Sequence, residues 1–185
     1  MSAVKIDHSS SKSILVIGGS GYLGQSIIAH ALKNSFKVSA ISRNKPNLLD
    51  NKIIFNQVDI TDPQSVQSFF DGKNFDYVVN CGGCVDHSQY SENGQEIIDT
   101  HLIGVINLAS TLRSTKIKNF INIGSSWEYG MTHGPHRESL REQAYTPYAY
   151  AKTSAAHFLE MLFRNEGFPG TTLRCFLTFG PGQKV

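Results

Sequence analysis

The sequence predicts an α/β fold with a doubly wound parallel sheet, and three observations carry the prediction. Short apolar runs rich in β-branched residues alternate with stretches whose apolar residues recur at helical intervals. The first run, Ile14-Leu15-Val16-Ile17, passes directly into Gly18, Gly21 and Gly24. The alternation then continues to the end of the chain with no internal repeat or low-complexity linker. Such alternation implies right-handed βαβ crossovers and a parallel sheet covered by helices on both faces. The architecture expected is Rossmann-like, over residues 13–185, preceded by a polar tail at residues 1–12.

The elements follow in order. Ile14–Ile17 is a strand buried on both faces. From Tyr22 a helix buries Leu23, Ile27, Ile28 and Leu32 on one side. Phe36–Ser42 is a second strand, broken off by Lys45-Pro46-Asn47, and Asn51–Asp59 is a third. Thr61 is the expected N-cap of a short helix with Pro63 in its first turn. Phe75–Asn80 is a fourth strand. A long helix from about Asn93 to Arg113 carries Ile97, Ile98, Leu102, Val105, Ile106 and Leu108, with Gly104 permitting close packing. Asn119–Gly124 is a fifth strand, a helix runs from about Tyr148 through Arg164, and Gly170–Phe176 is a sixth strand.

Composition narrows the function classes. In 185 residues with 40% hydrophobic content and a formal charge of +2, basic and acidic side chains are interspersed, and no basic block marks a nucleic-acid binder. The polar N-terminus lacks the apolar segment of a signal peptide, and no apolar run approaches a membrane span. A soluble cytoplasmic protein is expected. Three cysteines suit a reducing compartment. Cys81-Gly82-Gly83-Cys84 has redox-motif spacing but no second pair to complete a metal site, so no metal is expected. His133 and His136 are expected to be solvated loop histidines.

The glycine turn points to a dinucleotide. Gly18 allows a sharp turn, Gly21 lets the backbone approach a pyrophosphate, and Gly24 lets the helix pack close to the strand. The helix opening at Tyr22 and Leu23 would aim free N–H groups and a positive dipole end at that phosphate, with Ser20 in the turn. At the end of the second strand, Ile41-Ser42-Arg43-Asn44 offers no acid for a ribose 2′-hydroxyl. Ser42 and Arg43 suit a 2′-phosphate, so NADP(H) is favoured, with NAD as the alternative. Further on, Tyr148 and Lys152 are four apart and share a helix face. A cation beside a phenol favours phenolate and lowers the tyrosine's pKa, which fits proton exchange with a carbinol or carbonyl oxygen.

These features together resemble the short-chain dehydrogenase/reductase superfamily in its extended form, the nucleotide-sugar epimerase/dehydratase branch. The resemblance rests on Gly18-x-x-Gly21-x-x-Gly24 and on Asn80-Cys81-Gly82-Gly83 as a variant of an Asn-Ala-Ala-Gly segment. It rests also on Ser125-Ser126-Trp127-Glu128-Tyr129-Gly130, on Tyr148-x-x-x-Lys152, and on Leu173-Arg174 through Phe179-Gly180-Pro181. It implies that Asp59 and Ile60 lie against adenine and that the backbone of Cys81, Gly82 and Gly83 runs along the cofactor. It also implies that Ser125, Tyr148 and Lys152 are catalytic, with Ser125 and Ser126 facing the substrate and Lys152 also touching the cofactor.

Departures from the family pattern refine the expectation. The Asp-Glu pair of the dehydratases is Ser126-Trp127 here, and Glu128, if the segment stays extended, faces the other way. Dehydration is disfavoured. Arg43 tilts the expected activity toward NADPH-dependent reduction of a keto group on a nucleotide sugar such as a 4-keto-hexose, in surface-polysaccharide synthesis. A 4-epimerase with bound NAD(P) is the alternative, and a non-catalytic NAD(P)-binding or sensing protein, or an inactive truncated product, is the alternative of another class. The resemblance further implies a second, C-terminal substrate domain, most of which these 185 residues lack. Cofactor binding is therefore expected to survive better than turnover, and self-association through exposed apolar surface is expected. The partner expected is a small molecule, a nucleotide sugar.

Overall fold

In the computed structural model, which describes residues 12–46 and 51–183, six parallel strands form one sheet in the order β3-β2-β1-β4-β5-β6. They are β1 (Ser13–Ile17), β2 (Lys37–Ser42), β3 (Ile53–Gln57), β4 (Tyr77–Asn80), β5 (Asn119–Ser125) and β6 (Gly170–Cys175). The helices are α1 (Tyr22–Lys33), α2 (Pro63–Phe70), α3 (Gln95–Ile98), α4 (Gly104–Leu112) and α5 (Pro147–Glu166). Residues 1–11 of the expected tail at 1–12, and Asn47 of Lys45-Pro46-Asn47, lie outside the described residues.

Strand alternation sorts the core into two layers. Leu15 and Ile17 of β1 join Ile41, Val78 and Phe120 on the face covered by α2, α4 and α5. Ile14 and Val16 join Val38, Ala40 and Val79 against Ile28 and Ala31 of α1 on the other. Because both faces of β1 are covered, its sequence reads as an unbroken apolar run. The ends of β1, β2 and β4 are level, with Ile17 opposite Ile41 on one side and Asn80 on the other. The winding reverses between β1 and β4, so the loops after these strands part around a crevice at their C-terminal ends, where such folds bind ligands.

Several elements differ from the sequence reading, each for a local reason. β4 starts at Tyr77 because Asp76 turns its carboxylate onto the Ser13 N–H at 2.8 Å and toward Lys118 at 2.8 Å. β3 spans Ile53–Gln57, its ladder closing where β2 ends at Ser42. The N-cap of α2 is Asp62, which accepts from the Gln64 N–H. Thr61 is instead tied by its N–H and hydroxyl to Asp59, at 2.9 and 2.8 Å. The long helix expected at 93–113 starts at Tyr90 and is interrupted by wide π turns at Tyr90–Gly94 and Asp99–Ile103. Gly104 brings its second half against Ile60, whose Cδ1 lies 2.7 Å from where a Cβ would stand. Among the described residues no helix is long and apolar enough to cross a membrane.

Candidate functional site

The crevice is built first by the turn after β1. The Gly18 N–H donates to the Ile41 carbonyl at 2.8 Å, and the Gly21 N–H to the Gly18 carbonyl at 3.0 Å. Gly18 has φ +75°, and a Cβ there would stand 2.7 Å from the Cys81 carbonyl oxygen. At Gly24 a Cβ would stand 2.2 Å from the Gly18 carbonyl oxygen, so helix and turn touch as only glycine allows. At Gly21, by contrast, only the Gly18 carbonyl oxygen is near, at 3.3 Å, and a side chain would project toward the crevice. Gly21 is also the N-cap of α1, and no side chain caps that terminus. A twelve-residue helix with uncapped N–H groups, ending on a glycine cradle, fits the pyrophosphate of a dinucleotide.

The remaining walls come from three other strand ends and one helical turn. Gly18, Ser20 and Gly21 share the lining with Ser42, Arg43, Asp59, Ile60, Cys81, Gly82 and Gly83, around a cleft of about 200 Å³. Cys81 is anchored by its N–H to the Ile17 carbonyl at 3.0 Å. Asn80 holds the next step: its side-chain oxygen accepts from the Gly82 N–H, and its amide donates to Asn122 on β5 at 2.9 Å. Tyr22 and Leu23 occupy the first turn of α1 beside the cleft, outside its lining.

At the expected 2′-phosphate end the side chains have other partners. The Ser42 hydroxyl donates to the Asn44 carbonyl at 2.7 Å. Arg43 reaches Glu96 of α3, 53 residues away, at 3.3 Å. The sequence reading found no acid at the end of β2, and the fold brings one there from another element.

Ser125, Tyr148 and Lys152 form a second group beside the cleft. All three are buried. Ser125 ends β5, and its N–H donates to Glu128 Oε1 at 2.8 Å while its Oγ accepts from the Trp127 N–H at 3.2 Å. The chain then winds into a 3₁₀ turn, Ser126–Tyr129, instead of staying extended. Glu128 is therefore swung back under Ser125, fully buried, with Arg174 Nε donating to its other oxygen at 2.8 Å. Ser126 opens that turn, half-buried. Thr146 caps α5 by accepting from the Ala149 N–H, and so fixes the first turn that carries Tyr148.

One turn further along α5, Lys152 Nζ donates to the Ile123 carbonyl at 2.7 Å and stands 5.8 Å from the centre of the Tyr148 ring. Burial pulls the Lys152 ammonium down to about 8. The expected fall in the tyrosine's pKa is not what the structure shows. Burial pushes the Tyr148 phenol above its usual range, and a hydrogen bond with Ser125 offsets only part of that rise. The phenol is protonated at neutral pH.

Four residues complete the site that the sequence reading did not single out. His101 and His87 each set a ring edge-to-face with Tyr148, at 5.0 and 5.3 Å. His87 also stacks on Trp127 at 3.7 Å, and Trp127 on Tyr145 at 5.5 Å. Thr100 lines the cleft. His101 links the two groups: its ring packs on Gly83, where a Cβ would stand 2.1 Å from Cε1, and its Nε2 lies 2.9 Å from the Cys84 carbonyl oxygen. That carbonyl only accepts, so Nε2 carries the proton and Nδ1 is a bare acceptor without a partner. Burial, with the Lys152 charge adding to it, brings the ring down to about 3. A histidine in register with Ile97 and Val105 on the apolar helix face was the available signal.

Of the other candidates, His133 is exposed, but His136 stacks on Tyr129 at 4.9 Å and is no free loop histidine. Burial pushes the Cys81 thiol up to about 12, so it stays protonated, while Cys84 is exposed. Among the described residues no group of three or more His, Cys, Asp or Glu side chains is placed to hold a metal.

Comparison with known proteins agrees with this architecture. The model of the NAD dependent epimerase/dehydratase family matches residues 14–185. A bifunctional UDP-glucose 4-epimerase and UDP-xylose 4-epimerase from Pisum sativum is 26% identical over 171 residues, which cover 84% of this chain and 48% of the relative. A dTDP-glucose 4,6-dehydratase from Neisseria gonorrhoeae is 24% identical, covering 93% and 56%. The chain thus spans about half the length of the curated relatives it matches. The crystal structure of UDP-glucuronic acid 4-epimerase from Bacillus cereus, in complex with UDP-glucuronic acid and NAD, superposes with a TM-score of 0.83 at 24% identity. That superposition covers 93% of this chain and 59% of the other.

Proposed function

The chain belongs to the NAD-dependent epimerase/dehydratase family, and from that premise we propose that it is the cofactor-binding and catalytic part of an NADP(H)-dependent oxidoreductase acting at a keto or hydroxyl carbon of a nucleotide sugar. The observation that carries the reading is the convergence of buried Ser125, Tyr148 and Lys152 beside a glycine-cradled cleft. When bound, the nicotinamide supplies or accepts the hydride at the sugar carbon. Tyr148 gives its proton to the oxygen left behind when that carbon is reduced, and takes it back in the reverse direction. Ser125 holds the same oxygen against the phenol. Lys152, one turn along, places positive charge where phenolate character develops. Burial holds the phenol above its usual range, so it carries the proton that it gives to that oxygen.

The family's Asp-Glu positions are Ser126 and Trp127, and Glu128 is consumed by Ser125 and Arg174. Among the described residues no free carboxylate stands at these positions, so a dehydratase is disfavoured. A 4-epimerase is the second reading, supported by matched relatives that carry that name.

The test is a paired assay with NADPH and a UDP-4-keto-6-deoxyhexose, and separately with UDP-glucose. A reductase consumes NADPH with the keto sugar, and Tyr148→Phe lowers kcat by about 10²–10⁴ while NADPH affinity is retained. Interconversion of UDP-glucose and UDP-galactose without net cofactor change favours the epimerase. Cofactor binding with turnover of neither sugar overturns the catalytic reading and leaves a binding protein.

A further inference from the structure

Arg43, which lines the cleft, is met by a carboxylate that the sequence places 53 residues away. Glu96 belongs to α3, and Thr100, about one turn later, lines the cleft. Glu96 Oε1 stands 3.3 Å from Nη1 of Arg43, which lines the cleft together with Ser42 and Asn44. Arg43 is held at its backbone as well, where Gln57 Nε2 donates to its carbonyl oxygen at 3.1 Å. Ser42 spends its hydroxyl proton on Asn44. Both donors that suit a 2′-phosphate are thus engaged within the chain, one of them by an anion.

We propose that Glu96 is a specificity-determining residue of the cofactor cleft: its carboxylate holds Arg43 and opposes a 2′-phosphate, narrowing the NADPH-over-NADH preference that Arg43 alone confers. The inference rests on the proposed cofactor cleft. A 2′-phosphate entering beside Arg43 must share the guanidinium with Glu96 and bear repulsion from the carboxylate, whereas a 2′-hydroxyl has no such charge and can donate to it. Both side chains are more than half exposed, at 54% and 59%, so the effect is a moderate one that salt screens.

The experiment is fluorescence titration of NADPH and NADH against the full chain, Glu96→Gln, Arg43→Ala and Glu160→Gln. Glu160 is an exposed acid paired with Arg164 on α5, and its variant removes the same charge elsewhere. Glu96→Gln is expected to raise the NADPH-to-NADH affinity ratio about two- to fivefold, mainly through tighter NADPH, and the gain should shrink in high salt. Arg43→Ala should lower the ratio, and Glu160→Gln should leave it unchanged. An unchanged ratio in Glu96→Gln, a lowered one, or an equal shift in Glu160→Gln overturns the proposal while leaving the cofactor cleft standing. Binding of neither nucleotide by the unaltered chain overturns the cofactor reading and the proposal with it.

Discussion

At the scale of single residues, His101 shows how burial dictates charge. Its Nε2 proton is spent on the Cys84 carbonyl, and its interior position with Lys152 nearby keeps the ring neutral. The unfolded chain takes up a second ring proton near pH 6.5 and the folded one only near 3. Between those values the unfolded state binds more protons, so stability falls as the pH drops through the window. The loss reaches about 2 kcal/mol at about pH 5. His101→Gln, which never titrates, is expected to show a smaller fall in urea midpoint between neutral and acid pH than the parent chain. Tyr148 and Lys152 were legible as a pair because a spacing of four is a property of the helix alone. Their protonation was not, because it depends on what surrounds them after folding.

At the scale of elements, the caps decide where the site's side chains start. Thr146 accepts the Ala149 N–H, and Pro147 follows at the first helical position, so α5 presents Tyr148 from a fixed first turn. Thr146→Ala is expected to lower stability by about 1 kcal/mol in a denaturant titration, and Thr146→Ser to restore most of it. The sheet strands were readable as short apolar runs and the main helices by their 3.6-residue periodicity. Their ends were less so. Thr61 and Asp62 are both good caps, and the choice between them falls to Asp59, which claims Thr61 from the end of the third strand segment. The wide turns at Tyr90–Gly94 and Asp99–Ile103 leave the 3.6-residue pattern nearly intact, so sequence periodicity reads the whole stretch as one helix.

At the scale of the whole molecule, a partly buried ionic network ties the sixth strand to the turn below Ser125. Arg174 bonds to Glu128 and Glu142, Glu142 faces His157 on α5 at 3.3 Å, and the Arg174 guanidinium lies 4.8 Å from the centre of the Tyr129 ring. Glu128 has no exposed surface, so loss of Arg174 removes its ion-pair partner inside the protein. Arg174→Met is expected to cost about 3–5 kcal/mol in urea denaturation. Adding Glu128→Gln should recover part of that loss, because it removes the stranded charge.

By itself the sequence determined the order of strands and helices, the glycine turn at Gly18–Gly24, and the Tyr148–Lys152 pair. These are written in local pattern: short apolar runs, period 3.6, and glycines spaced for a tight strand-to-helix turn. Only the tertiary structure decided that Glu96 meets Arg43, that His101 packs between Gly83 and Tyr148, and that Glu128 is buried with Arg174. Those contacts join residues far apart in the chain, and their charges follow from desolvation, which no local pattern encodes.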